Sequence, residues 1–310
     1  MSINIANAPC SWGVDDPKNP YLPSWQKVMK EARTAGYKSI ELGPWSFLPT
    51  NPVELTAALE EYDLSIVAGT IFDDLVSEDN FEYIKQLTHD ICRNLSNIPT
   101  AKKEAGQNVQ APYLVIIDWG DKERAELAGQ VNTSPRLDEE KWAQMMEHIK
   151  VISRIAQEEY GVRPVIHPHA GGWIEFSDEI EKLVRDIPYE IAGLCLDTGH
   201  LYYSSMDPVE YLDKYFEKLD YIHFKDVNSE IYQDVISRGR MEFFSACGEG
   251  VMCPIGQGAI DYPAIKSFLE KKGYQGWITI EQERDPRDVD GSLKDVAASL
   301  EYLTSVGFQS

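Results

Sequence analysis

Short apolar runs alternate with longer stretches of helical spacing along the whole chain. The runs INIANA (3–8), KSIEL (38–42), LSIVAGTIF (64–72) and YLVII (113–117) each stop at a turn or a polar residue. Three more follow in PVIHPHAGG, GLCLDTGHL and YIHFKDV, between 164 and 227, and WITIE (277–281) is the last. Apolar runs of this length, bounded by polar residues, suit strands buried on both faces of a parallel sheet. Helical spacing fills the intervals at 25–35, 52–61, about 80–106, 138–160, about 177–186, about 208–218, 262–272 and about 292–306. Gly36 is a stop signal, and Asp138 is an N-cap candidate ahead of Trp142, Met145, Met146, Ile149, Ile152 and Ile155. Residues 231–258, with several glycines, read as irregular. Eight strand-then-helix units without a linker or composition break predict one domain over 1–310, a closed (β/α)8 TIM barrel. An open doubly wound sheet is the alternative, but no GxGxxG follows the first strand.

In such a barrel the reacting groups sit at the C-terminal ends of the strands. Four of the six histidines (His167, His169, His200, His223) fall between 164 and 227, at or just past predicted strand ends. His167, Asp197, His223 and Glu281 end strands five to eight, one on each. Each alone has an ordinary structural explanation, such as a turn at Asp197-Thr198-Gly199 or a core histidine at 223. Together they predict one divalent ion with positions left open for substrate. His169, His200, Lys225 and Asp226 lie two or three residues further on, placed to shuttle protons, bind hydroxyls or orient the ligands. Trp12, Trp45, Trp119 and Trp173 follow strands one, two, four and five, where indoles either stack on a sugar ring or pack the rim.

Charge narrows the partners. The 29 basic and 51 acidic residues give −22, a surface that repels nucleic acid and anionic lipid. No apolar run reaches a membrane span, and MSINIANAPC has no signal-peptide pattern. Five irregularly spaced cysteines predict reduced thiols, hence a cytoplasmic protein. The expected partner is a small molecule. No helical stripe marks an interface, so self-association into a homo-oligomer stays open.

The motifs DTGH (197–200), HFKD (223–226), IGQGAIDY (255–262) and WITIEQE (277–283) resemble those of the xylose isomerase-like sugar isomerase/epimerase superfamily over the whole chain. NAPCSWGV, ELGPWSFLP and HPHAGG are similar to its inosose dehydratase branch, which works in inositol catabolism. The resemblance implies one divalent ion, Mn or Co first and Zn, Fe or Mg next, held after strands five to eight. The chain departs at strand five. Where epimerases carry Glu in a Glu-Asn-His triplet, it has His167-Pro168-His169, so His167, His169 and Glu175 compete for the strand-five ligand.

An ion that chelates a ketone and its neighbouring hydroxyl acidifies the carbon between them through an enediolate. Reprotonation gives epimerisation or isomerisation, and loss of a β-hydroxyl gives dehydration. A departing hydroxide needs an acid, which an imidazole supplies near neutral pH. The surplus of histidines favours dehydration, a lyase reaction, and the resemblance implies a small keto-polyol or keto-sugar, 2-keto-myo-inositol (inosose) first, as the substrate. His169 or His200 is the expected acid. Lys225 and Glu41 are expected as hydroxyl or carbonyl contacts, Trp12, Trp173 and Asp226 around the ring, and Arg284 just beyond strand eight. An epimerase or isomerase at the same site is the first alternative. A carbon-glycoside-cleaving subunit and a non-catalytic sugar-binding barrel rank lower, and a DNA-cleaving barrel conflicts with the charge.

Overall fold

The computed structural model describes residues 3–101 and 111–308. Eight parallel strands form the barrel wall. They are β1 (Asn4–Asn7), β2 (Ser39–Ile40), β3 (Ser65–Ile66 continued by Ala68–Asp73), β4 (Tyr113–Asp118), β5 (Arg163–Ile166), β6 (Gly193–Asp197), β7 (Leu219–Phe224) and β8 (Trp277–Ile280). Ser65–Ile66 pairs with β2 and Ala68–Asp73 with β4. Val67 joins them: its N–H donates to Ile40 O and its carbonyl accepts from Tyr113 N. Nine strand segments therefore act as eight strands, and β1 pairs with both β2 and β8.

The helices alternate with the strands: α1 (Trp25–Ala35), α2 (Pro52–Tyr62), α3 (Glu78–Leu95), α4 (Glu139–Arg154), α5 (Ser177–Asp186), α6 (Pro208–Lys214), α7 (Tyr262–Lys272) and α8 (Ser292–Val306). Their ends follow local chemistry. Asn51 and Asp138 cap α2 and α4 by accepting from backbone N–H groups, and Gly36 and Gly273 close α1 and α7 in left-handed conformations. Two expectations are corrected. The helix expected to reach 106 ends at Leu95, where Ser96 folds back onto Cys92 O and Pro99 follows; its stretch from 102 onward lies outside the described residues. The interval 231–258 is ordered as the helices Ser229–Arg238 and Phe243–Gly248, capped by Asn228 and Glu242. An antiparallel ribbon, Asp226–Val227 with Met252–Cys253, ties its two ends together.

Alternation along each strand separates two apolar layers. Leu114 and Ile116 of β4 pack outward against the helices, while Tyr113, Val115 and Ile117 join Ala6, Val165, Cys195, Tyr221 and Trp277 inside the barrel. Tyr113 and Tyr221 stack there with ring centroids 4.5 Å apart. The same parity carries upward. Above Val165 comes His167, above Cys195 comes Asp197, and above Tyr221 come His223 and Lys225. Above Trp277 come Thr279, Glu281 and Glu283. The apolar filling forms the floor, and the polar residues stand on it at the mouth.

Candidate active site

His167, Asp197, His223 and Glu281 converge at that mouth, each offering a ligand atom within 4.8 Å of the others. Three of them are buried and Glu281 nearly so. His223 donates its Nε2 hydrogen to Glu41 Oε1 (3.0 Å), which also accepts from the Tyr221 hydroxyl (2.7 Å). His223 Nδ1 therefore faces inward. It lies 3.0 Å from Glu281 Oε2 and 4.0 Å from Asp197 Oδ2, with no hydrogen-bond partner. Those carboxylates favour positive charge at this point, either a proton on Nδ1 or a cation in its place. Two imidazoles and two carboxylates from four adjacent strands are a donor set suited to a divalent transition metal. A carboxylate behind a ligating histidine fixes its tautomer. Glu41, expected to contact substrate, is occupied in this way.

Lys225 stands beside the cluster with its ammonium fully buried. It pairs with Asp197 (2.9 Å), Glu283 (3.0 Å) and Glu281. Burial opposes its charge, but these carboxylates hold its pKa well above the ordinary value. Burial also works against ionising Glu281, yet His223 and Lys225 keep it well below the usual carboxylate range. Asp197 is pushed upward by burial, with Lys225 pulling the other way.

His167, His169 and His200 are all shifted down by burial first and by neighbouring positive groups next, His169 to about 3. His169 and His200, the expected acids, are both biased by desolvation toward the neutral ring. His169 donates from Nδ1 to Ala170 O (2.9 Å), leaving Nε2 as its lone-pair nitrogen. His200 accepts at Nδ1 from Ala170 N (3.1 Å) and lies behind His169, ring centroids 4.0 Å apart.

A cavity of about 1420 Å³ opens above this floor. His167, His169, Lys225, Glu41, Glu281 and Arg284 line it. Phe72, Trp45, Trp119 and Phe244 form its apolar walls, with Tyr21 and Tyr83 on its rim. Several expected contacts face elsewhere. Trp12 is fully buried and donates from Nε1 to Glu31 (2.7 Å), and Trp173 packs its ring against the Arg124 guanidinium. Asp226 is consumed by the backbone, accepting from the N–H groups of Val227, Gly256, Gly258 and Ile260 at 2.8–3.1 Å. That approach requires glycine at 258, where a Cβ would stand 2.2 Å from Asp226 Oδ1. Glu175, a rival for the strand-five ligand, instead accepts from Gly129 N (2.6 Å), Gly171 N (2.9 Å) and the Ser204 hydroxyl (2.9 Å), near Arg124.

Sequence reasoning passed over three cavity-lining groups, Cys10, Asp15 and Glu283, which form a second cluster with ligand atoms within 4.8 Å. Glu283 was within reach, since it shares parity with Glu281. Cys10 and Asp15 come from the turn after β1, where no period reports direction. All five cysteines are unpaired. Among the described residues no helix is long and apolar enough to cross a membrane.

The sequence and fold match known proteins along most of the chain. An inosose dehydratase of Bacillus thuringiensis (strain Al Hakam) is 26% identical over 288 residues, 92% of this chain and 91% of that protein. Among solved structures, the IOLI protein with a bound zinc atom aligns with a TM-score of 0.70 at 15% identity, covering 99% of this chain and 100% of that one. A probable 3-DHS dehydratase, AsbF, of Bacillus anthracis aligns at 0.67 and 15%, covering 97% and 98%. The expected lyase class agrees with these relatives. A family model described as xylose isomerase-like TIM barrel matches residues 29–306. With the barrel, its polar mouth and this match in agreement, the chain belongs to the xylose isomerase-like TIM barrel family.

Proposed function

We propose that this barrel is a divalent-metal-dependent dehydratase of a cyclic keto-polyol, inosose or a close analogue. The observation that carries the reading is the convergence of His167, Asp197, His223 and Glu281 beside a cavity-lining neutral His169. The similarity to an inosose dehydratase supports the substrate. His167, Asp197, His223 and Glu281 would hold the ion. When bound, it polarises the substrate carbonyl and makes the neighbouring C–H acidic.

His169 accepts that proton at Nε2, since its Nδ1 hydrogen is committed to Ala170 O. The imidazolium so formed is the acid that the departing β-hydroxyl needs, so one ring serves as base and then acid. The C–H and C–O bonds break, a C=C bond forms, and water leaves. Lys225, held between Asp197, Glu281 and Glu283, offsets part of the negative charge of the floor. Phe72, Trp119 and Phe244 flank the His169 side of the cavity and keep bulk water from it. Unpaired cysteines support a reducing compartment such as the cytoplasm.

The deciding experiment incubates the purified protein with inosose and Mn or Co, and again with a chelator, and weighs the product by mass spectrometry. Metal-dependent loss of one water is expected. A product of unchanged mass would replace dehydration with epimerisation, and no turnover would remove inosose as the substrate.

A further inference from the structure

The second cluster at the mouth has no part in the reaction just described. Glu283 is 5% exposed and lines the cavity. Its Oε1 pairs with Lys225, but Oε2 is buried with no hydrogen-bond partner. Asp15 and Cys10 stand against it from the turn after β1. Arg284, whose side chain is 8% exposed, spends Nη2 on Asp295 (2.6 Å), while its Nε is buried without a partner and the residue lines the same cavity. Glu283 Oε2 and Arg284 Nε are thus buried polar atoms without partners on two successive residues that line the cavity. A hydroxyl group, which both donates and accepts, can answer either kind of atom.

We propose that Asp15 and Glu283, with Arg284 beside them, form a polyol-recognition subsite that binds ring hydroxyls. Lys225 separates this subsite from the His167–Asp197–His223–Glu281 cluster. The inference rests on the keto-polyol reading above and adds the residues that select the hydroxyl pattern. A second metal ion fits the cluster less well. Glu283 already faces the Lys225 ammonium, which opposes a further cation there.

The test is calorimetric titration of the Mn-loaded protein with myo-inositol, which lacks the ketone and does not react, and with a panel of mono-deoxyinositols. Wild type should bind myo-inositol. Asp15→Asn and Glu283→Gln should each weaken that binding about 10- to 100-fold, with metal content per chain and thermal midpoint unchanged. One deoxy analogue should lose a similar factor on wild type and no further factor on the variant that served the missing hydroxyl. The subsite is overturned if wild type does not bind myo-inositol, or if both variants bind it like wild type. It is equally overturned if wild type takes up a second metal ion that Asp15→Asn loses. Should binding depend on the pair while inosose is not dehydrated, the reaction reading fails and the subsite stands.

Discussion

Two groups of buried charges lie on neighbouring parts of the same rim, and they are built on opposite principles. Around Arg124 the carboxylates are largely answered; only Glu179 Oε1 lacks a hydrogen-bond partner, and it lies 3.2 Å from Arg136 Nε. Glu175 accepts from two backbone N–H groups and a hydroxyl, and Glu179 accepts from Arg124 and from the N–H groups of Glu175 and Phe176. Around Lys225, the charges face one another with atoms left over: His223 Nδ1, His167 Nδ1 and Glu283 Oε2 have no hydrogen-bond partner. The first group clamps the loops after β4 and β5 together. The second holds unmet bonding capacity in a cavity, and such capacity is where ligands act.

Breaking the Lys225 side should give the largest effect. Asp197→Ala should lower turnover on the order of 10³-fold and strip the metal, measured by elemental analysis. On the Arg124 side, Glu175→Ala should cost about 3–5 kcal/mol of stability by denaturant titration, because three donors lose their acceptor. Its metal content should stay at wild-type level, and metal loss would collapse the distinction.

A pH series sharpens the contrast. Burial pushes Glu175 up to about 7 from an ordinary 4.5, against the pull of Arg124 and its hydrogen-bond donors. Between those values the folded chain holds a proton that the unfolded chain has released. The contribution to stability is therefore complete below about pH 4.5 and is lost as pH rises through about 7. Glu175→Gln should remove that slope, so wild type should lose up to about 3 kcal/mol relative to the variant between pH 4.5 and 8. Equal slopes would show that Glu175 stays ionised throughout. The smallest effect is expected at the join between the barrel interior and the cluster, where Glu41→Gln should weaken metal binding about 10- to 100-fold and leave the fold intact.

Much of this was legible in the sequence because the signals are local. The helices Trp25–Ala35, Ser177–Asp186, Tyr262–Lys272 and Ser292–Val306 have the expected bounds, and caps such as Gly36 and Gly273 act within one turn. Strand ends were equally clear, so four candidate ligands could be named and the fold brings them together. Direction was not legible. Nothing in HFKD says that Lys225 faces the cavity floor while Asp226 turns to the backbone of 256–260, nor that Glu41 lies behind His223. The helix Phe243–Gly248 was hidden because it is short and sits among glycines, although Glu242 offered a cap.

The small ribbon after β7 has an evolutionary reading. Asp226–Val227 and Met252–Cys253 bring the start and finish of the 228–251 excursion side by side. That excursion carries Glu242, Phe244 and Ser245 to the cavity, while Lys225 and Asp226 stay fixed in the barrel. A segment whose ends are already joined can be lengthened, shortened or exchanged at an entropic cost that grows only with the logarithm of its length. The barrel can therefore change the substrates it admits by trading one cassette, leaving the reacting groups in place.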